Sequence, residues 1–368
     1  MNIGIVTFWT SKDNFGQILQ LFALQTFLKK YGLSATLIRT SNLNSKTCLK
    51  IRIKQNIKTV LDVITRLNFH ALGGKKFDLF LKKNVSYTDK IFYSPKDFTQ
   101  KDLQYDAVIC GSDVIWSEGV GTGDWGKLCF LDFVTKPIKK ISYAASFGAS
   151  IISEHFSNFI KPMVKSFDAI SVREESGVGI CAKLGRSDAV AVCDPTLLLQ
   201  KNDYEVLIKH SKSEHQIAFA YFIGWNTDVP EQEIKIYAKE KNCSYSRLDS
   251  QNNKRSFKQL FVKPKSIPEW LGMYKDATCI FTNSFHGTIF ALIFNKPFLF
   301  FPIKGVSQKL NNRVENLLTK FGLIHRIWNS NKTIQEQMDD PIDWQEVNKN
   351  IEQFRNFSIN WLKKALET

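Results

Sequence analysis

The chain has 368 residues, 43% of them apolar and 23% charged, which excludes intrinsic disorder and exceeds what one hydrophobic core usually supports. Fifty Lys and Arg against thirty-five Asp and Glu leave a net charge of +15, which suits polyanionic or phosphorylated partners or simply a soluble basic surface. The lysines fall in short separate pairs (Lys29-Lys30, Lys75-Lys76, Lys82-Lys83, Lys139-Lys140), and no zinc-finger or RNA-binding signature accompanies them, so the pattern argues against nucleic acid.

In chain order, "IGIVTF" reads as a strand, "WTSKDNFG" as turn chemistry and "QILQLFALQTFLKKYG" as a helix stopped at Gly32. "ATLIR" is a second strand, and this β-α-β opening predicts a parallel, doubly wound sheet. A helix is predicted over 57–72, within a stretch (45–100) whose pattern is otherwise hard to assign. "YDAVICGSD", "KISYAASFG" and "FDAISVREES" are strands ending in small or charged residues, and "AVAVCDPTLLL" ends in an Asp-Pro turn. Near residue 200 the series restarts. "QIAFAYFIG" is a strand, "VPEQEIKIYAKEKNC" a helix, and "SIPEWLGMYKDA" a helix with a Ser266–Glu269 capping box. "TCIFT" and "KPFLFF" are strands around the helix "FHGTIFALIFN", followed by the helix "KLNNRVENLLTKFGL" and a long amphipathic helix, or helix pair, over 342–367. The expected organisation is an N-terminal α/β domain over 1–199, a C-terminal α/β domain over 200–345 and a closing helix over 346–368.

Seven widely spaced cysteines without a CxxC pair indicate neither a disulfide framework nor a structural zinc site, and fit a reducing cytoplasm. The opening residues lack the basic and apolar regions of a signal peptide. The apolar run over 279–301 is broken by Asn283, His286, Gly287, Asn295, Lys296 and Pro297, which argues against a spanning helix.

Ligands of doubly wound folds bind at the carboxyl ends of strands. That rule selects Asn14 and Gly16, Ser112 and Asp113, Arg173 and Glu174, Asp194, Ser284 and His286. His286 lies in the first turn of an apolar helix, where unpaired amides favour an anion; a structural histidine bonded to a carbonyl is the alternative. Arg173 suits a carboxylate or phosphate through its planar fork, or an ion pair with Glu174 or Glu175, of which strand alternation puts Glu175 on its side. Arg313 opens a helix against the dipole, as an anion ligand or as a solvated side chain. Ser112 and Asp113, with Trp116 close behind, suit a sugar through hydroxyl binding and stacking; an Asx turn is the alternative for Asp113. Asn14, Gly16 and Gln17 form a loop that admits a ligand close to the backbone, or in which Asn14 caps a helix. No nucleotide fingerprint, Walker lysine or G-x-S-x-G elbow is present.

Seven blocks in order, "DNFGQILQLFALQ", "YDAVICGSDVIW", "ISYAASFG", "AISVREESG", "VCDPTLLL", "FTNSFHGTIFALIFNKPF" and "NRVENLLTKFGL", resemble the successive motifs of the polysaccharide pyruvyl transferase family. The resemblance implies two Rossmann-like lobes with mostly parallel sheets in a GT-B-like arrangement. It implies transfer of pyruvate from phosphoenolpyruvate to two hydroxyls of a sugar in a surface polysaccharide or its precursor, giving a cyclic ketal and phosphate. No metal and no cofactor beyond the donor substrate are implied. By the same resemblance His286 and Arg173 are catalytic, and Arg173, Ser284, His286, Gly287 and Arg313 bind the donor. Asn14, Gly16, Gln17, Ser112, Asp113 and Trp116 would face the acceptor, a lipid-linked or nucleotide-linked sugar reached at the inner face of an anionic membrane. Members of the family carry an arginine two residues before this histidine, where Ser284 stands here; Arg313 and Lys296 are the cations able to replace it. A GT-B-like glycosyltransferase using a sugar nucleotide, or a non-catalytic carbohydrate-binding member, are the alternative readings.

Overall fold

The computed structural model describes residues 1–11, 13–42, 74–208, 216–224, 227–250 and 264–367; the helix expected over 57–72 lies outside them. Six strands, β1 (Asn2–Val6), β2 (Ser34–Leu37), β3 (Ala107–Cys110), β4 (Lys139–Ala145), β5 (Ala169–Val172) and β6 (Val190–Ala191), form one sheet in the order β2-β1-β3-β4-β5-β6. Every pairing is parallel, with Ile5 opposite Ile109 and Ile109 opposite Ile141. Helices cover both faces of a parallel sheet, so its central strands are apolar on both sides, and all four residues of β3 are buried.

The second sheet holds β7 (Ile217–Ile223), β8 (Ser244–Ser250), β9 (Ala277–Thr282) and β10 (Phe298–Phe300) in the order β10-β9-β7-β8, again all parallel. Read from β8, this is the order of β2-β1-β3-β4, so the two sheets repeat one topology. The crossovers that matter here are α1 (Phe15–Lys30), α2 (Glu154–Lys165), α3 (Glu175–Lys183), α4 (Glu231–Glu240), α5 (Ile267–Asp276) and α6 (Phe285–Ile293). After β10 come α7 (Asn312–Lys320) and α8 (Trp344–Glu367), the latter one unbroken helix rather than a pair.

Local chemistry explains the helix ends. Asn14 caps α1 by accepting from Gln17 N at 3.2 Å, and Gly32 leaves it at a φ of 73° that favours glycine. Ser266 and Glu269 form the expected capping box of α5. α6 is buried from Phe285 through Leu292, so it is held by packing on all sides rather than by an amphipathic face.

Phe15, at the start of α1, stacks on Trp270 of α5 at 5.1 Å and meets Tyr221 of β7 edge-on, so one aromatic cluster ties the two sheets together. Each such buried ring contributes about 1.5–3 kcal/mol of transfer free energy. α8 returns to the first sheet: Cys193 N donates to Ser358 Oγ (2.9 Å), Arg355 Nε to Leu197 O (2.6 Å) and Lys139 Nζ to Leu366 O (2.8 Å). The six described cysteines are buried and unpaired. Among the described residues no helix is long and apolar enough to cross a membrane.

Candidate active site

The carboxyl ends of both sheets converge, and the loops after β3, β5, β6 and β9 bring charged groups to one point. Asp194, one residue beyond the β6 extension at Cys193, is its hub. Its Oδ2 accepts from Ser112 Oγ (3.1 Å) and Arg173 Nη1 (3.1 Å), and His286 Nε2 stands 3.4 Å from the same oxygen. Its Oδ1 accepts from Thr196 N (3.0 Å) and Thr196 Oγ1 (2.7 Å). Burial alone would raise the pKa of this carboxyl. Attraction from His286, with Arg173 and the Thr196 amide, outweighs that and holds it well below the usual carboxylate range.

Arg173 follows the last residue of β5 and has a side chain only 2% exposed. Beyond Asp194 it faces Asp113 Oδ1 and Glu174 Oε2, each at 3.8 Å. Its Nε and Nη2 are buried and have no hydrogen-bond acceptor. A buried guanidinium with unused donors is costly unless something occupies them. Phe285 forms the floor beneath it: the ring lies 4.3 Å from Arg173 Cζ and 5.6 Å from Arg313 Cζ, and meets the His286 ring edge-on at 5.3 Å. Two like charges thus lie against one aromatic ring. Burial, with repulsion from Arg173, pushes the Arg313 guanidinium down to about 10. An open cleft is lined by Arg173, Glu174, Asp194, Phe285, Arg313 and Lys320, among others.

Two glycines make the convergence possible. A β-carbon on Gly16 would lie 2.2 Å from Cγ and Nδ1 of His286, so the start of α1 packs flat on the imidazole. Gly111, at a φ of 122°, brings β3 within 2.1 Å of where its β-carbon would strike Tyr143 O, and the following Ser112 N donates to Gln20 Oε1 at 3.0 Å.

Among solved structures, a UDP-N-acetylglucosamine 2-epimerase superposes with a TM-score of 0.52 at 10% identity, over 99% of this chain and 95% of that one. The Arabidopsis thaliana protein UGT89C1, complexed with UDP-L-rhamnose, superposes with a TM-score of 0.51 at 12% identity, over 99% and 98% of the two chains. At such identities the likeness is one of fold, the GT-B arrangement of two α/β lobes. None of the curated proteins matches the sequence. The model of the family described as polysaccharide pyruvyl transferase matches residues 14–305.

The chain belongs to the polysaccharide pyruvyl transferase family.

Of the residues singled out in the sequence, Ser112, Asp113, Arg173, His286 and Arg313 meet in this pyruvyl transferase fold, with Gly16 against the histidine. Ser284 and Gly287 are partly spent on each other: Gly287 N donates to Ser284 Oγ at 3.2 Å as the α6 cap, so the turn offers an anion one amide fewer than expected. Asn14 is the cap of α1, and Gln17 Nε2 donates to Thr10 O at 2.7 Å.

Three expectations are corrected. Trp116 is fully buried, donates from Nε1 to Cys129 O (3.2 Å) and stacks on Phe130 at 5.1 Å, so it has no face to offer a sugar. Lys296 lies past the far end of α6 beside Lys201 and Asp276, about 15 Å of helix away from His286, and does not replace a donor-site cation. Glu175 pairs with Lys320 at 3.7 Å rather than with Arg173, because β5 stops at Val172 and strand alternation no longer applies. The sequence reading gave no role to Asp194 or Phe285. Asp194 was marked by its place after a strand; Phe285 looked like core.

Proposed function

We propose that this chain transfers pyruvate from phosphoenolpyruvate to two hydroxyls of a sugar in a surface polysaccharide or its precursor, forming a cyclic ketal and releasing phosphate. The observation that carries the reading is a buried Arg173 and a half-buried Arg313 on Phe285, with Arg173 Nε and Nη2 lacking acceptors, beside a histidine that faces a carboxylate. Phosphoenolpyruvate has two anionic groups, a carboxylate and a phosphate, and two guanidinium forks suit them. The reaction also needs a proton delivered to the methylene carbon as a hydroxyl adds to C2. His286 is assigned that proton, since histidine is the side chain best matched to general acid work near neutral pH. Asp194 stands 3.4 Å from the imidazole Nε2, and its own oxygens are already bonded to Ser112, Arg173 and Thr196.

The net charge of +15 suits an acceptor that carries a pyrophosphate, whether linked to a lipid or to a nucleotide. The test is incubation of the purified protein with phosphoenolpyruvate and a panel of such sugars. Phosphate release and a ketal quaternary carbon by NMR are expected. Thermal shift with phosphoenolpyruvate is expected to exceed that with UDP, GDP or CMP; the reverse order would favour a sugar-nucleotide transferase instead.

A further inference from the structure

Ketal formation removes a proton from each of two hydroxyls, and no group described so far accepts the first. Three carboxylates surround Arg173, and their hydrogen bonds sort them. Asp194 has both oxygens occupied and a side chain with no exposed surface. Of the other two, Glu174 lines the cleft and has its carboxylate fixed by a hydrogen bond. Glu174 Oε1 accepts from Ser146 Oγ at 2.7 Å, and that hydroxyl in turn accepts from Gly148 N at 3.0 Å. The single proton of Ser146 is therefore committed to Glu174, which fixes Oε1 as an acceptor and fixes the rotamer of the carboxylate. The other oxygen, Oε2, is buried, has no hydrogen-bond donor, and lies 3.8 Å from Arg173 Nε. A buried carboxylate oxygen without a donor in a polar cleft is a place prepared for one.

We propose that Glu174 is the general base that accepts the proton of the attacking sugar hydroxyl, an assignment that rests on the pyruvyl transfer proposed above. In the first step the hydroxyl oxygen bonds to C2 of phosphoenolpyruvate, its proton passes to Glu174 Oε2, and the C2–C3 π pair takes a proton from His286. In the second step Glu174 returns that proton to the phosphate oxygen as the C2–O bond to phosphate breaks. The neighbouring hydroxyl then closes on C2 and gives its proton to His286. Both side chains end as they began, and the two hydroxyl protons leave on the product methyl group and on phosphate. Arg173, 3.8 Å from both Oε2 and the Asp113 carboxylate, is placed to hold the donor against the base.

The experiment begins with the wild-type protein, whose phosphoenolpyruvate-induced thermal shift and phosphate release establish the underlying reaction; absence of both overturns that reading and the base assignment with it. Glu174→Gln keeps the shape and the Ser146 bond. It is expected to retain the phosphoenolpyruvate shift while kcat falls by about 10²–10⁴-fold. Glu174→Asp, which keeps a carboxylate, is expected to recover part of the rate. A Glu174→Gln enzyme within about threefold of wild-type kcat overturns the assignment, since a general base contributes far more than that. So does loss of the phosphoenolpyruvate shift in Glu174→Gln, which would make Glu174 a support for Arg173 only.

Discussion

The two sheets share a strand order yet carry different chemistry at equivalent edges. In the first, the strand ends supply three carboxylates and one arginine: Asp113 after β3, Arg173 and Glu174 after β5, and Asp194 beyond β6. In the second, the ends supply His286 after β9 and Arg313 in the first turn of α7, both delivered by elements packed on apolar neighbours. The first edge is a bonded network whose members lean on each other; the second contributes single groups that reach across to it. One topology, used twice, thus carries a bonded charged network at one edge and single groups that meet it at the other. The difference predicts that removing Asp194 on the first edge damages stability, while substitutions on the second damage turnover.

The largest effect expected is on the second edge. His286→Gln, which keeps most of the volume beside Gly16, is expected to lower turnover by about 10²–10⁴-fold, with a melting temperature close to wild type. A large loss of stability together with activity would erase the contrast between the edges. On the first edge, Asp194→Ala strips Arg173 of its shortest carboxylate contact and leaves a buried guanidinium under-compensated. A loss of about 3–5 kcal/mol in denaturant unfolding is expected. The same carboxyl has a pH signature. Its folded pKa lies well below the unfolded value of about 3.9, so its stabilisation is fully present above that pH and fades as pH falls further. The stability gap between wild type and Asp194→Asn is therefore expected to narrow below about pH 4, checked by unfolding across that range.

These contrasts also show what the sequence could and could not convey. The parallel strands were legible because each is a short apolar run with a turn residue at its end, as in β3 and β9. β8 was not, since "SYSRLDS" alternates polar residues along the edge of its sheet and lacks that signature. His286 and Arg173 were legible by their place after strands. Of the two glutamates offered as partners of Arg173, Glu174 is the one that faces it, because β5 ends at Val172 and alternation does not reach Glu175. Phe285 was invisible for a different reason. An aromatic residue in an apolar run carries no local sign that two arginines 140 positions apart will stack on it.

Arg313 tests whether a cation from the second edge serves the donor. Arg313→Ala is expected to raise the KM for phosphoenolpyruvate about 10–100-fold, the range for losing one charge-assisted contact, with little change in stability. Lys296→Ala, at the other end of α6, is expected to leave that KM unchanged. Equal effects from the two would mean that general positive potential, rather than the guanidinium on Phe285, attracts the donor. Steady-state kinetics at two ionic strengths separates these, because a contact made inside the cleft is screened less than a field at the surface.

The smallest effect expected comes from Trp116, which lies three residues from Asp113 on the first edge yet belongs to the core. Trp116→Phe removes the Nε1 donor to Cys129 O and some ring volume. The carbonyl keeps a partner in Cys110 Sγ at 2.8 Å, and Phe130 and Phe147 remain to pack on the smaller ring. A loss of about 1–2 kcal/mol is expected, the sum of one net hydrogen bond and a small cavity. Because no part of the indole is exposed, the KM for the sugar is expected to stay at the wild-type value. The measurement is a pair, unfolding free energy and acceptor KM on the same protein. An acceptor KM that rises while stability holds would put the indole at the sugar after all, and would move the acceptor site deeper into the first sheet than Asp113 and Glu174 place it.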